Sequence, residues 1–224
     1  MEDEDKNNGK DRIRNEGQNR ASGNKFELIK KSKPKLKIED LFYYKINGYV
    51  YVGVIIQNQK YMNNREINGE INGCLFLESS YKSIDEISID TVKDDILKQK
   101  LLLPPTNTNK KGWTNGFFVV FNNLNLGFAN NVLQEIRFIY SEYLIYDINY
   151  SEVNDVPNGK LVGEVGIYAD GGVETQLQMS LDLDFDAETP EWYNPYEYYE
   201  DLKEIFPTLE FPFWYYKAKK RLNK

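Results

Sequence analysis

The clearest pattern in the chain begins at Leu36, where apolar and polar residues start to alternate. Leu36, Ile38, Phe42, Tyr44 and Ile46 share one side and Lys37, Glu39 and Lys45 the other, which predicts a half-buried strand. Asn47-Gly48 follows it, and a type I′ hairpin turn needs positive φ at both central residues. The return strand, Tyr49 to Ile56, is apolar on both faces, so it is predicted to be central and covered on both sides. Gly53 within it predicts a bulge or a close contact. Asn63 to Asn72 reads as a polar loop and Gly73 to Leu77 as a short strand carrying Cys74 in the core. Ile89, Val92 and Ile96 are spaced for a helix capped by Ser88 or Asp90, and Pro104-Pro105 forbids its continuation. Thr106 to Lys111 reads as a loop, and Gly116 to Phe121 as a strand.

Further strands are predicted where Ile136, Phe138, Tyr140, Leu144, Tyr146 and Ile148 alternate with more polar residues, and from Val162 to Tyr168. Asp170-Gly171-Gly172 reads as a hairpin turn. The strand after it has the most regular alternation, with Val173, Leu177, Met179, Leu181, Leu183 and Phe185 on one face and Glu174, Gln176, Gln178, Ser180, Asp182, Asp184 and Asp186 on the other. Asn194-Pro195-Tyr196-Glu197 is a helix-capping sequence. The helix it starts buries Tyr196, Tyr199, Leu202 and Phe206 and stops at Pro207. Pro212 opens a second helix with Trp214, Ala218 and Leu222 at four-residue spacing and a basic end. The sum is an α+β fold: a mostly antiparallel, twisted and partly barrel-like sheet, one short central helix and a C-terminal helical pair.

Residues 1–34 are Asn/Gly/Lys-rich and almost free of large apolar side chains, so a disordered leader is expected ahead of a single domain over 35–224. The acidic start Met1-Glu2-Asp3-Glu4-Asp5 does not fit a signal peptide. The longest apolar run falls far short of a membrane span. With one unpaired cysteine, a cytoplasmic location is expected.

Composition narrows the chemistry. The 224 residues contain no histidine and one cysteine. That removes Ser-His and Cys-His nucleophile pairs, histidine bases and any Cys/His zinc site. The net charge of −7 argues against nucleic acid as the main partner. It also hides a polar layout: residues 152–211 hold 15 acids and two bases, whereas 212–224 hold five bases and no acid.

Asp182, Asp184 and Asp186 put three carboxylates on one side of the predicted strand. The EF-hand pattern fails there, since Ala187 stands where the turn glycine belongs and Tyr193 where the bidentate glutamate belongs. Asp184 with Glu191, or Glu188 with Glu197, could serve as a general acid–base pair, but nothing selects one pair. A carboxylate-based hydrolase, with or without a divalent metal, is therefore the alternative reading, and no cofactor is predicted. The preferred reading is a binding surface. Nine acids (Asp182, Asp184, Asp186, Glu188, Glu191, Glu197, Glu200, Asp201 and Glu204) fall in 23 residues with a single base, Lys203. Trp192, Tyr193, Tyr196, Tyr198 and Tyr199 are interleaved with them, and Trp192 and Tyr198 fall outside the buried stripe, as anchors would.

Residues 36 to about 127 resemble the immunity protein 26 family of bacterial polymorphic toxin systems. The matching blocks are Asp40-Leu41-Phe42, Tyr49-Val50-Tyr51-Val52-Gly53-Val54-Ile55, Leu101-Leu102-Leu103-Pro104-Pro105, and Gly112-Trp113 with Gly116 and the strand behind it. Glu39 stands where the family often shows glycine. Residues 128–224 look like an acidic extension of the same domain. The resemblance implies a non-enzymatic protein that binds and blocks a cognate toxin, often a nuclease. A toxin that acts on phosphates is basic near its site, which an acidic inhibitor would complement. On this view Pro104, Pro105, Trp113 and Gly116 shape the fold, and the acidic block meets the partner.

Overall fold

A computed structural model describes residues 26–62, 65–140, 144–155, 160–181, 195–210 and 215–216. The alternation from Leu36 becomes β1, Asp40–Ile46, joined by the Asn47-Gly48 turn to β2, Tyr49–Met62. Both turn residues have positive φ, 51° at Asn47 and 76° at Gly48, as a type I′ turn requires. β2 pairs antiparallel with β1 and with β3, Arg65–Tyr81, so it is central. Residues 65–72, expected to be part of a loop, are thus strand. Asn72 is buried and finds partners on both sides, accepting a hydrogen bond from Asn58 and donating to the Thr108 carbonyl.

β4, Thr106–Thr108, lies beside β3, and β5, Val119–Asn123, lies beside β1. With β10, Ile167–Tyr168, parallel to β4, they form a six-stranded sheet in the order β10-β4-β3-β2-β1-β5. A four-stranded sheet has the order β8-β7-β6-β9, from β6 Arg137–Ile139, β7 Ile145–Asp147, β8 Glu152–Val153 and β9 Val162–Glu164. Both sheets are open and mostly antiparallel, so the fold is α+β without a closed barrel. The single strand expected over Val162–Tyr168 is divided between the two sheets as β9 and β10, with Val165 and Gly166 between them.

Alternating side chains of β1, β2 and β3 feed two cores. Phe42, Tyr44, Ile46, Tyr51, Ile55, Cys74 and Phe76 enter one. Leu41, Val52, Val54, Ile56, Leu75 and Leu77 enter the other. The first core is covered by Trp113 of α2, Lys111–Asn115, by Val173 and Leu177 of α4, Asp170–Ser180, and by Leu202 of α5, Pro195–Ile205, with Phe206 just beyond it. The second is covered by Val92 and Ile96 of α1, Ile89–Leu97, by the 126–132 segment, and by Phe138 and Tyr146 of the smaller sheet. Ser88 caps α1, its Oγ accepting from the Thr91 amide at 3.3 Å. The short α3, Asn130–Gln134, carries Val132 into this core. Gly53 marks a close contact: a Cβ there would lie 2.3 Å from the Phe42 ring, which sits over its cross-strand partner.

Three further expectations fail. Residues 173–180 are helical, not a strand, and Asp170-Gly171-Gly172 is the first turn of α4 rather than a hairpin. Val173, Leu177 and Leu181 are four apart, a spacing that satisfies both periods. The polar positions do not face water: Glu174 and Gln178 are buried, and Glu174 accepts hydrogen bonds from the Phe26 amide at 3.0 Å and from Gln178 at 3.2 Å. The second failure is the inner end of the leader. Phe26 is buried in the first core and stacks on Phe117, and Ile29 and Ser32 donate backbone hydrogen bonds to Gly116 and Trp113. The remainder, 1–25, lies outside the described residues. The third is the 106–111 loop, which holds β4 and starts α2.

Glu39, where the resembled family often shows glycine, has φ 76°. A left-handed residue with a Cβ costs about 1–2 kcal/mol. Here its carboxylate compensates by accepting the Leu126 amide at 2.8 Å. Glu39→Ala keeps the strained backbone and loses that bond, whereas Glu39→Gly loses the bond and relieves the backbone. The glycine variant is therefore expected to be more stable than the alanine variant by about 1 kcal/mol in urea denaturation. Equal midpoints would rule out backbone strain at this position.

Candidate functional site

α5 carries the described part of the acidic block. Pro195 is its first residue, where the missing N–H is no loss. Leu202 and Phe206 are buried and hold one side against the first core, beside Leu209 and Tyr215. Glu200, Asp201 and Glu204 are exposed away from that side, and Ile205 is exposed at its edge. Glu200 and Glu204 are four apart, a like-charge spacing that costs roughly 0.2–0.5 kcal/mol until an opposite charge arrives. The one base of the block is drawn aside: Lys203 Nζ donates to the Leu209 carbonyl at 2.7 Å, beyond the helix end. The buried Tyr215 donates its hydroxyl to the Glu200 carboxylate at 2.6 Å, pinning one acid of the exposed face to the core. Tyr216, 57% exposed, meets Tyr215 edge-on at 5.5 Å.

Of the predicted contact residues, the structure brings Glu200, Asp201 and Glu204 together on this face. Glu197 and Tyr198 belong to the same helix, but their side chains lie outside the described residues, as do Asp182, Asp184, Asp186, Glu188, Glu191 and Trp192 altogether. The pairs Asp184 with Glu191 and Glu188 with Glu197 lie outside the described side chains. Among the described residues, no group of three or more His, Cys, Asp or Glu side chains is arranged to hold a metal ion. Cys74 is fully buried, and burial pushes its thiol pKa up, away from the reactive thiolate.

A cleft of about 380 Å³ reaches Tyr216, the neighbour of the Tyr215 that bonds Glu200. Leu101, Leu102, Leu103 and Pro104 line it, with Glu78, Lys98, Gln99, Lys100, Lys160 and Glu210 also on its walls. Its charges are mixed and partly paired, since Lys98 and Lys100 approach Asp94 at 2.7 Å and 3.1 Å. Hydrogen bonds from Lys98 and Lys100 hold the Asp94 carboxyl below the usual carboxylate range. The cleft did not emerge from the sequence, although its Leu-Leu-Leu-Pro run is one of the blocks that carry the family resemblance.

The other family-type positions are internal. Pro104, Pro105, Trp113 and Gly116 are all buried, and Gly116 ends α2 with φ 93°. A Cβ on Gly116 would lie 2.8 Å from the Lys31 amide nitrogen, so glycine is required both for the turn and for the docking of residues 29–32. Trp113 belongs to the same core as Leu202 of α5 and Phe206. No helix among the described residues is long and apolar enough to cross a membrane. No protein-family model, curated protein or solved structure matches the chain.

Proposed function

We propose that the protein is a non-catalytic immunity protein that neutralises a cognate bacterial toxin by binding a basic surface on it through the acidic block, in the cytoplasm. The observation that carries this reading is the α5 face: exposed Glu200, Asp201 and Glu204 on a helix anchored by Leu202 and Phe206, with Lys203 turned to the Leu209 carbonyl. A rigid array of one sign raises the encounter rate with an oppositely charged partner. Ile205, 42% exposed at the edge of the acidic face, and Tyr216, next to the Tyr215 that bonds Glu200, supply apolar contact area beside it.

The test is to express the reading frame adjacent to this one in a host lacking both, with and without this chain. Toxicity that this protein suppresses, with a purified one-to-one complex, supports the proposal. Glu200→Gln, Asp201→Asn and Glu204→Gln combined should leave the fold intact, or more stable by a few tenths of a kcal/mol through relief of like-charge contacts. Association with the toxin should slow about tenfold at low ionic strength, with a smaller effect at high salt. An unchanged association rate would show that this helix does not face the partner.

A further inference from the structure

The larger sheet ends on β5, and none of the described strands pairs with its outer side. A terminal strand presents a row of backbone N–H and C=O groups to which another chain can pair, and natural sheets blunt such edges with charges or by keeping them very short. The other three terminal strands follow that rule. β8 and β9 carry Glu152 and Glu164, and β10 is two residues long with Asp170 close behind it. β5 is five residues long, Val-Val-Phe-Asn-Asn, and carries no charge. It lies within a run from Gly112 to Gln134, 23 residues without Asp, Glu, Lys or Arg, in a chain of which 28% is charged. Glu39 and Asp40, where β1 begins, spend their carboxylates on local donors. Glu39 accepts the Leu126 amide at 2.8 Å, and the buried Asp40 accepts from the Lys37 amide at 2.8 Å and from the Asn123 side chain at 3.2 Å. Asn122 and Asn123 are exposed on the strand, and Phe128, 38% exposed, follows just beyond it.

We propose that β5 is a self-association edge, at which two copies of this chain pair their β5 strands antiparallel about a two-fold axis and join the two six-stranded sheets. In such a contact each residue lies near its own counterpart, so every charge would meet a like charge. For a chain of net charge −7 that is costly wherever acids are exposed, and β5 is the edge that brings none. The same lack of charge makes this edge a poor match for the basic toxin proposed above, and the inference does not depend on that reading. The register of β5 with β1 shifts once, at Phe121, and an irregularity of this kind twists an edge and shortens the ladder it can offer. The contact is therefore small, with a dissociation constant between about 10 μM and 1 mM.

The experiment is sedimentation equilibrium on the full chain over that concentration range, with hydrogen–deuterium exchange at its two ends. The parent mass should rise from that of a monomer toward that of a dimer, and the amides of residues 119–123 should exchange more slowly at the high concentration. Raising the salt from about 50 mM to about 500 mM should leave the association unchanged or tighten it, since it screens only the repulsion between acidic copies. Asn122→Lys, at an exposed position, should raise the dissociation constant at least tenfold, whereas Ser151→Lys, an equal charge on another exposed site, should change it less than about twofold. A chain that stays monomeric to about 1 mM would overturn the proposal. So would a dimer that dissociates with salt, which would mean that the acidic block pairs with the basic residues after 212, or one whose β5 amides exchange at the same rate at both concentrations. If Asn122→Lys does not fold, the exchange and salt measurements on the parent decide the question.

Discussion

Trp113→Ala is expected to destabilise the protein by about 3–5 kcal/mol, the usual cost of truncating a fully buried large aromatic. The indole has no exposed surface and meets Phe42 and Phe118 edge-on, each at 5.1 Å between ring centroids. Phe118 in turn touches Phe26, Phe42, Tyr44 and Phe76, so the cavity would open in the middle of an aromatic cluster whose members come from four separate segments. Such a cluster cannot collapse by moving one side chain, which puts the cost toward the upper end. Against a total stability of about 5–15 kcal/mol, the variant should be partly unfolded near its growth temperature. Trp113→Phe should cost only about 1–2 kcal/mol, because it preserves ring contact and removes an indole N–H that is buried without a partner. Urea denaturation followed by circular dichroism distinguishes the two. A loss below about 1 kcal/mol for the alanine variant would contradict the packing described here.

Gly163→Ala is the second large effect. A Cβ on Gly163 would stand 1.9 Å from the Pro105 carbonyl oxygen and 3.2 Å from the Phe138 ring. The nearest atom is backbone, so no rotamer change relieves the clash, and β9 must move from its parallel pairing with β6 or the Pro104-Pro105 segment must shift. The expected loss is about 2–3 kcal/mol, at the upper part of the range for overpacking. Gly166→Ala is the internal control. Its Cβ would meet nothing nearer than 3.6 Å, an ordinary contact, and the substitution should be neutral or stabilising by up to about 1 kcal/mol through a more restricted unfolded chain. Thermal melts of both variants against the parent give the comparison directly. Similar melting temperatures for the two variants would mean that the 105–163 approach is not close.

The acidic helix was legible in the chain because everything that defines it is local: Asn194-Pro195 at its start, Pro207 at its end, and the Leu202–Phe206 spacing between. Its exposed acids follow from that spacing. The cleft beside it was not legible, since its walls come from residues 78, 98–104, 160, 210 and 216, and no local pattern records that these segments meet. The close approach of Gln57 to Gly73, where a Cβ would lie 3.0 Å from Gln57 Oε1, was hidden for the same reason, although a glycine within a strand is itself a sign of close approach.

What the sequence determined by itself is set by short-range sterics and by the two side-chain periods. The Asn47-Gly48 turn needs positive φ and has residues that tolerate it. β2 is apolar on both faces and is therefore central, and Ser88 supplies the cap that starts α1. Tertiary structure decided the cases where both periods fit or where polar residues are buried. Val173, Leu177 and Leu181 suit a strand or a helix equally. The helix is settled by Glu174 receiving the Phe26 amide from 148 residues away and by Val173 and Leu177 entering the first core. The extension of β3 through Asn72 depends on partners in β2 and β4, because a buried amide is tolerated only where other strands satisfy its donors and acceptor.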